Sequence, residues 1–257
     1  MNGSDALFVP TADGRWLPTD AARGPWSPDA LHGGPSAALL ARAVEPLLDP
    51  LQPVRLTVEL LRPVPVAPLT IEAEQLRPGR KVRMAGARVL HDGTVVASAT
   101  ALAIRVDDVE VPEQPVAAVP PPPGAGASLV SDVNGYSAFH NDGVEHRFVA
   151  GSFVEAGPAI DWIRLRVPVV SDEEPSGLQR VAAAADFGNG VSRVTSFEAL
   201  TFINPDLTIY LERAPEGEWI CIDAESRLHG HGIGLAESAL YDQRGRIGRS
   251  VQSLLVS

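Results

Sequence analysis

Two polar side chains stand where the surrounding pattern is apolar, and both suit chemistry on water. In Leu178–Asp186 the apolar residues Leu178, Val181, Ala182 and Ala185 follow helical spacing, and Asp186 falls on the same stripe. The alanine run Ala182–Ala185 leaves this helix almost no polar face, so burial is expected. A buried carboxylate needs hydrogen-bond partners or takes up a proton. With Gly188 ending the helix, Asp186 would lie in the last turn, where the macrodipole disfavours negative charge. Both effects predict a raised pKa, which suits a general base for water. A solvated aspartate at a helix end is the alternative. In the final strand, Val251, Ser253 and Leu255 should face one way, and Gln252 and Leu254 the other. Gln252 then points inward, where its amide can hold water or a substrate oxygen; otherwise it is a polar residue at a strand edge.

Other groups are less specific. His32-Gly33-Gly34 precedes an apolar helix. Two glycines admit a close ligand, and N–H groups at a helix start can polarise a carbonyl or bind phosphate. The same residues also suit a plain loop-to-helix turn with His32 as a packing residue. Arg77, Arg80, Lys81 and Arg83 surround a Pro78-Gly79 turn, as a phosphate site or as a solvated hairpin face. His229 and His231 lack a third ligand for a metal. Neither G-x-S-x-G, a P-loop, H-E-x-x-H nor a dinucleotide glycine fingerprint occurs.

The elements that must position these residues repeat. Leu56–Glu74 lies on Leu207–Glu225 without a gap, and with one residue of slip Gly93–Ile104 lies on Gly245–Val256. That slip sets Gln252 opposite Thr100. Two copies suit two like half-domains paired about an internal two-fold. Short strands are expected at Ala6–Pro10 and Gly14–Pro18. Helices are expected over Ser36–Leu48, ending or kinking at Pro46, and over Leu178–Phe187. First-half strands read as Val54–Leu61, Leu69–Leu76, Arg80–Leu90 and Thr94–Val106. Second-half strands read near His146–Glu155, Asp161–Val170, Phe197–Ile203, Leu207–Leu211, Glu218–Arg227, Ile233–Tyr241 and Arg246–Val256. Asp107–Ser128 is rich in Pro and Ala and reads as an extended connector.

The net charge of −11 excludes the basic stripe of a nucleic-acid surface. Lys81 is the one lysine among 257 residues, so positive charge is nearly all arginine. Cys221, the single cysteine, sits in the apolar run WICI and reads as a core residue, compatible with a reducing cytoplasm. The start MNGSDALFVP lacks a basic region followed by a long apolar run and does not read as a signal peptide, and no apolar run reaches the length expected of a membrane span.

The order and spacing of several segments resemble the type II acyl-CoA thioesterase-like family, in its actinobacterial branch. In the first half these are LHGGPSAALLARAVE and RPGRKVRMAGARVLHDGTVVASATA. In the second they are WIRLRVPVV, LQRVAAAADFGNGVS, FINPDLTIYLER and GRIGRSVQSLLV. The resemblance covers nearly the whole chain. It implies an α+β double hotdog: two antiparallel sheets, each wrapped round a central helix, joined as a pseudo-dimer. The expected division is an N-terminal hotdog over 1–107, a Pro-rich linker over 108–130 and a C-terminal hotdog over 131–257. It implies hydrolysis of a fatty acyl-CoA to free acid and CoA without a cofactor, a metal or a covalent intermediate. Asp186 and Gln252 match the family's acid and amide. The family's hydroxyl falls nearest Asn204, with Thr201 and Thr208 as neighbouring candidates; alone, Asn204 reads as an Asn-Pro turn. His32, Gly33, Gly34, Arg80 and Lys81 are the substrate-binding candidates. The first-half acid would fall near Ala41, so one site per chain is expected. Acyl-CoA is the expected partner, with no nucleic acid, no membrane span and possible pairing into a dimer or tetramer of double hotdogs. A non-catalytic acyl-CoA-binding or assembly protein is the alternative. A hydratase is disfavoured because no histidine follows in FINPDLTIY.

Overall fold

The computed structural model describes residues 6–113, 115, 118–124, 135–196 and 198–257. Parts of the expected linker, and Phe197 at the head of one expected strand, lie outside the described residues. β1 (Phe8–Pro10) and β2 (Trp16–Pro18) pair around the Asp13-Gly14 turn. α1 spans Gly33–Leu48, three residues earlier than the apolar run begins and two past Pro46. Its early start is permitted because Pro35 falls in the first turn, where a missing N–H costs nothing.

β3 (Gln52–Leu60), β4 (Thr70–Arg77), β5 (Val82–His91) and β6 (Thr94–Ile104) follow, and α1 packs across them. The residues beneath it are small: Ala85 and Ala87 from β5, and Ala97, Ala99, Ala101 and Ala103 from β6 are all buried. Alternation sends them to one face of the sheet and lets the helix sit close.

The second half opens with β7 (Val144–Ala150) and β8 (Ala159–Leu165), both shorter at their C-terminal ends than expected. α2 (Gly177–Ala185) stops just before Asp186, and Gly188 begins a further single turn, α3 (Gly188–Val191), rather than ending the helix. β9 (Phe202–Ile203) is a remnant of a longer expected strand. Then come β10 (Asp206–Leu211), β11 (Trp219–His229), β12 (Ile233–Asp242) and β13 (Gly245–Val256).

All ten long strands join one antiparallel sheet in the order β4-β5-β6-β3-β10-β13-β12-β11-β8-β7, with β9 on β13. The two expected sheets are thus fused edge to edge through β3 and β10. In that seam Thr57 opposes Thr208, its own repeat partner, and Thr208 Oγ1 lies 3.3 Å from Thr57 Oγ1. The internal two-fold passes between them.

The hairpins correct the alignment. His91 opposes Thr94 as Asp242 opposes Gly245, and both hairpins carry a bulge at the same step. Further along, Ala85 opposes Ala101 as Ala236 opposes Gln252. No slip exists, and the counterpart of Gln252 is buried Ala101, not exposed Thr100. The slip came from matching two glycines with different jobs. Gly93 makes the turn at φ +76°, whereas Gly245 is the first residue of β13.

α1 and α2 lie antiparallel across the two-fold. Gly34 at the start of α1 meets Ala183 near the end of α2. Glu45 near the end of α1 accepts hydrogen bonds from Ser176 Oγ (2.6 Å) and Gln179 Nε2 (3.1 Å) at the start of α2. The fold is an α+β double hotdog, each half-sheet covered by its own helix.

Candidate active site

Asp186 is the C-cap of α2 and lies against the N-terminus of α1. Glycine permits this approach: a Cβ at Gly33 would stand 2.7 Å from Asp186 Oδ2, and one at Gly34 would stand 2.6 Å from the Ala183 carbonyl oxygen. Positive dipole ends and helix-start N–H groups favour an anion there.

Four groups reach the carboxylate. His32 Nδ1 lies 2.8 Å from Oδ2, Asn204 Nδ2 donates to Oδ1 at 2.9 Å, Gln252 Nε2 reaches Oδ1 at 3.3 Å, and the Gly34 N–H also points to it. His32 Nδ1 is also 3.1 Å from the Gly34 nitrogen. It cannot accept from Gly34 and donate to Asp186 together. A bare Nδ1 would set its lone pair against a carboxylate oxygen, so Nδ1 carries the proton and donates to Asp186, while the Gly34 N–H serves the carboxylate. These donors reverse the expected titration. Burial pushes the Asp186 pKa up, but the His32 charge and hydrogen bond, then Asn204 and Gly34, outweigh it and hold the carboxyl below the usual carboxylate range. The α2 dipole argument failed because the opposing helix start belongs to the other half of the chain.

Each partner is fixed in turn. The His32 N–H donates to the Ala22 carbonyl, and its ring packs on Phe139 and Phe187 at centroid distances of 5.2 and 4.7 Å. Gln252 is 1% exposed on the inner face of β13. Its Oε1 accepts from the Asn189 backbone N–H at 3.1 Å, which orients the amide with Nε2 toward Asp186. Asn204 precedes β10 in a loop held to the first half, where Leu60 N–H donates to the Pro205 carbonyl at 2.7 Å. Of the other hydroxyl candidates, Thr208 lies in the seam, and Thr201 pairs by its backbone with Ser257.

Asp186, Asn204, Gln252, His32, Gly33 and Gly34 therefore meet. Arg80 and Lys81 do not join them. They line a cleft of ≈ 550 Å³ with Arg77, Pro78, Gly79, Val82 and Arg105. In the sheet order, β5, β6, β3 and β10 lie between edge strand β4 and β13, which carries Gln252. The neighbouring Arg83 donates to the Asp49 carbonyl at the C-terminal end of α1, the opposite end from Gly33. A helix of that length spans roughly 24 Å. The Gly34 N–H is likewise engaged with Asp186 and is not spare for a substrate carbonyl.

The residues missed from sequence are Asn189, Phe139 and Phe187. Asn189 lay in the quoted FGNGVS segment, but only the tertiary contact with Gln252 reveals its role. The objection to a hydratase also falls in part: a histidine does meet the aspartate, delivered from the other half. Among the described residues no cluster of His, Cys, Asp and Glu could hold a metal, and no helix is long and apolar enough to cross a membrane.

The pseudo-symmetric corner differs. Counted from the N-caps His32 and Ser176, the counterpart of Asp186 is Arg42, one residue past Ala41, and neither is an acid. Glu45, one turn later, meets Ser176 instead, and the place of Gln252 is taken by Ala101.

Comparison with known proteins gives the family. The model of the acyl-CoA thioesterase N-terminal domain matches residues 22–104, and that of the C-terminal domain matches residues 111–256. No curated protein matches the chain. Among solved structures, a provisionally named thioesterase from Novosphingobium aromaticivorans DSM 12444 is 23% identical over 97% of this chain and 98% of its own, with TM-score 0.72. A hot dog protein of unknown function from Alicyclobacillus acidocaldarius is 22% identical over 98% and 97%, with TM-score 0.73. The acyl-CoA thioesterase II TesB2 from Mycobacterium marinum is 19% identical over 89% and 90%, with TM-score 0.65. At these identities the structures speak for the fold alone, and the two domain matches decide the rest: the chain is a thioester hydrolase and belongs to the acyl-CoA thioesterase family.

Proposed function

We propose that the chain hydrolyses a fatty acyl-CoA to free acid and CoA, using water activated at the Asp186–His32 pair and no covalent intermediate. In this reading 1–107 and 131–257 act as the two halves, with 108–130 as linker. The observation that carries it is the 2.8 Å contact between Asp186 of one half and His32 of the other. Held below the usual carboxylate range, Asp186 is ionised before the reaction and has a carboxylate oxygen to accept the water's proton. Asp186 is thus the base for water, held in place by His32, but with a lowered rather than the raised pKa read from sequence.

The long 3.3 Å contact between Gln252 and Asp186 is the weakest link in the ring of donors. Water enters there, held by the Gln252 and Asn204 amides. It loses a proton to Asp186 and attacks the thioester carbonyl, which the positive end of the α1 dipole polarises. Collapse of the tetrahedral intermediate breaks the C–S bond, and the proton held by the pair goes to the leaving thiolate.

Free-thiol release from short-, medium- and long-chain acyl-CoAs tests this. Asp186→Asn is expected to lower kcat by about 10²–10⁴-fold with the fold intact. Full activity in that variant would refute the site. Tight acyl-CoA binding without release by the wild type would instead favour the non-catalytic reading, and activity on enoyl-CoA a hydratase.

A further inference from the structure

A second aspartate–histidine pair lies behind the first and takes no part in the reaction above. His146 on β7 and Asp161 on β8 are diagonal neighbours on adjacent strands, where His146 opposes Ile163 and Asp161 opposes Phe148, with Nδ1 2.5 Å from Asp161 Oδ2. Both side chains are 0% exposed. Asp161 Oδ1 accepts from the Arg147 backbone N–H at 3.1 Å, which fixes the carboxyl group against Nδ1 of the imidazole. The other ring nitrogen, Nε2, is buried without a hydrogen-bond partner.

Its surroundings are aromatic. The His146 ring meets Phe187 edge-on at 4.8 Å, Phe153 at 5.7 Å and Phe148 at 6.1 Å. Phe187 follows Asp186 directly and carries His32 on its other side. His146 is therefore one ring removed from the reacting centre. A packing role is served equally well by apolar residues at both 146 and 161, which leave no buried polar atom unsatisfied. The pair instead presents one oriented acceptor in an apolar, aromatic surrounding, the usual composition of a ligand site.

Resting on the thioesterase reading, we propose that His146 is a specificity-determining residue that accepts a hydrogen bond from a hydroxyl carried on the distal part of the acyl group. The acyl chain leaves the thioester at Asp186–His32, passes Phe187 and ends among Phe148, Phe153 and His146. Asp161 holds the tautomer that leaves Nε2 as acceptor. A site that hydrogen-bonds a substrate hydroxyl disfavours the analogue lacking it, since the buried partner then goes unpaired.

The test compares kcat/KM for matched pairs, hexanoyl-CoA against 6-hydroxyhexanoyl-CoA and phenylacetyl-CoA against 4-hydroxyphenylacetyl-CoA. Wild type is expected to favour the hydroxylated member of at least one pair by about tenfold or more. His146→Phe is expected to abolish that preference, read as the ratio of kcat/KM within each pair, and His146→Gln, which keeps a donor for Asp161 and an acceptor for the hydroxyl, to keep part of it. Equal rates within both pairs for the wild type overturn the proposal, whether or not the variants fold. So does a parallel fall of both members in His146→Phe, which marks a structural role with a resident water. Absence of thiol release from all four substrates by the wild type is a different result: it removes the thioesterase reading itself.

Discussion

Asp186 accepts from His32, Asn204, Gln252 and Gly34, and this crowding has a thermodynamic signature. A carboxyl with a depressed folded pKa binds fewer protons folded than unfolded. Its contribution to stability is full above the unfolded value of about 3.9 and is lost as pH falls through the folded pKa. The melting-temperature gap between wild type and Asp186→Asn should therefore stay level above about pH 5 and shrink only below about pH 4. A gap that already closes near neutrality would mean a raised pKa and a different donor set. Sequence made Asp186 and Gln252 visible, because each interrupts a local apolar period. It could not give the sign of the titration, since His32 and Gly34 arrive from the start of the opposite helix and Asn204 and Gln252 from distant parts of the second half. His146 and Asp161 were legible in principle, as two polar residues at inward positions of adjacent strands. They passed as ordinary strand residues because neither strand's register was known.

The elements were read well where a short-range pattern defines them. The α1 and α2 runs and the five longest strands followed from periodicity. Their ends shifted where pairing decides, as at β7, β8 and β9. The two glycines at the head of α1 show what an element boundary can hold. Gly33→Ala puts a methyl group against a side-chain carboxylate, which can turn aside, so activity should fall by about tenfold or more with little change in Tm. Gly34→Ala sets the same methyl group against the Ala183 backbone, which cannot move without parting α1 from α2. Alanine ordinarily favours a helix by about 1 kcal/mol over glycine, yet here thermal unfolding should fall by roughly 2–6 °C. A Gly34→Ala protein melting at or above the wild-type temperature would show that the helices are not tightly apposed.

At the scale of the whole molecule, Asp186 and His32, the pair proposed to react, are divided between the halves. Neither half expressed alone should release thiol, whereas a chain cut once within 108–130 and kept associated through the β3–β10 seam should remain active. A tight substrate analogue should bind once per chain by calorimetric titration; a stoichiometry of two would mean that the Glu45–Ser176 corner also takes substrate. That corner gives the Thr57–Thr208 seam its larger meaning. In an assembly of two identical chains every substitution is made twice, and a residue useful at one corner is imposed on the other. Covalent tethering removes the obligation. One corner was free to become a helix cap while the other holds an aspartate among four donors, and the symmetry persists only as architecture.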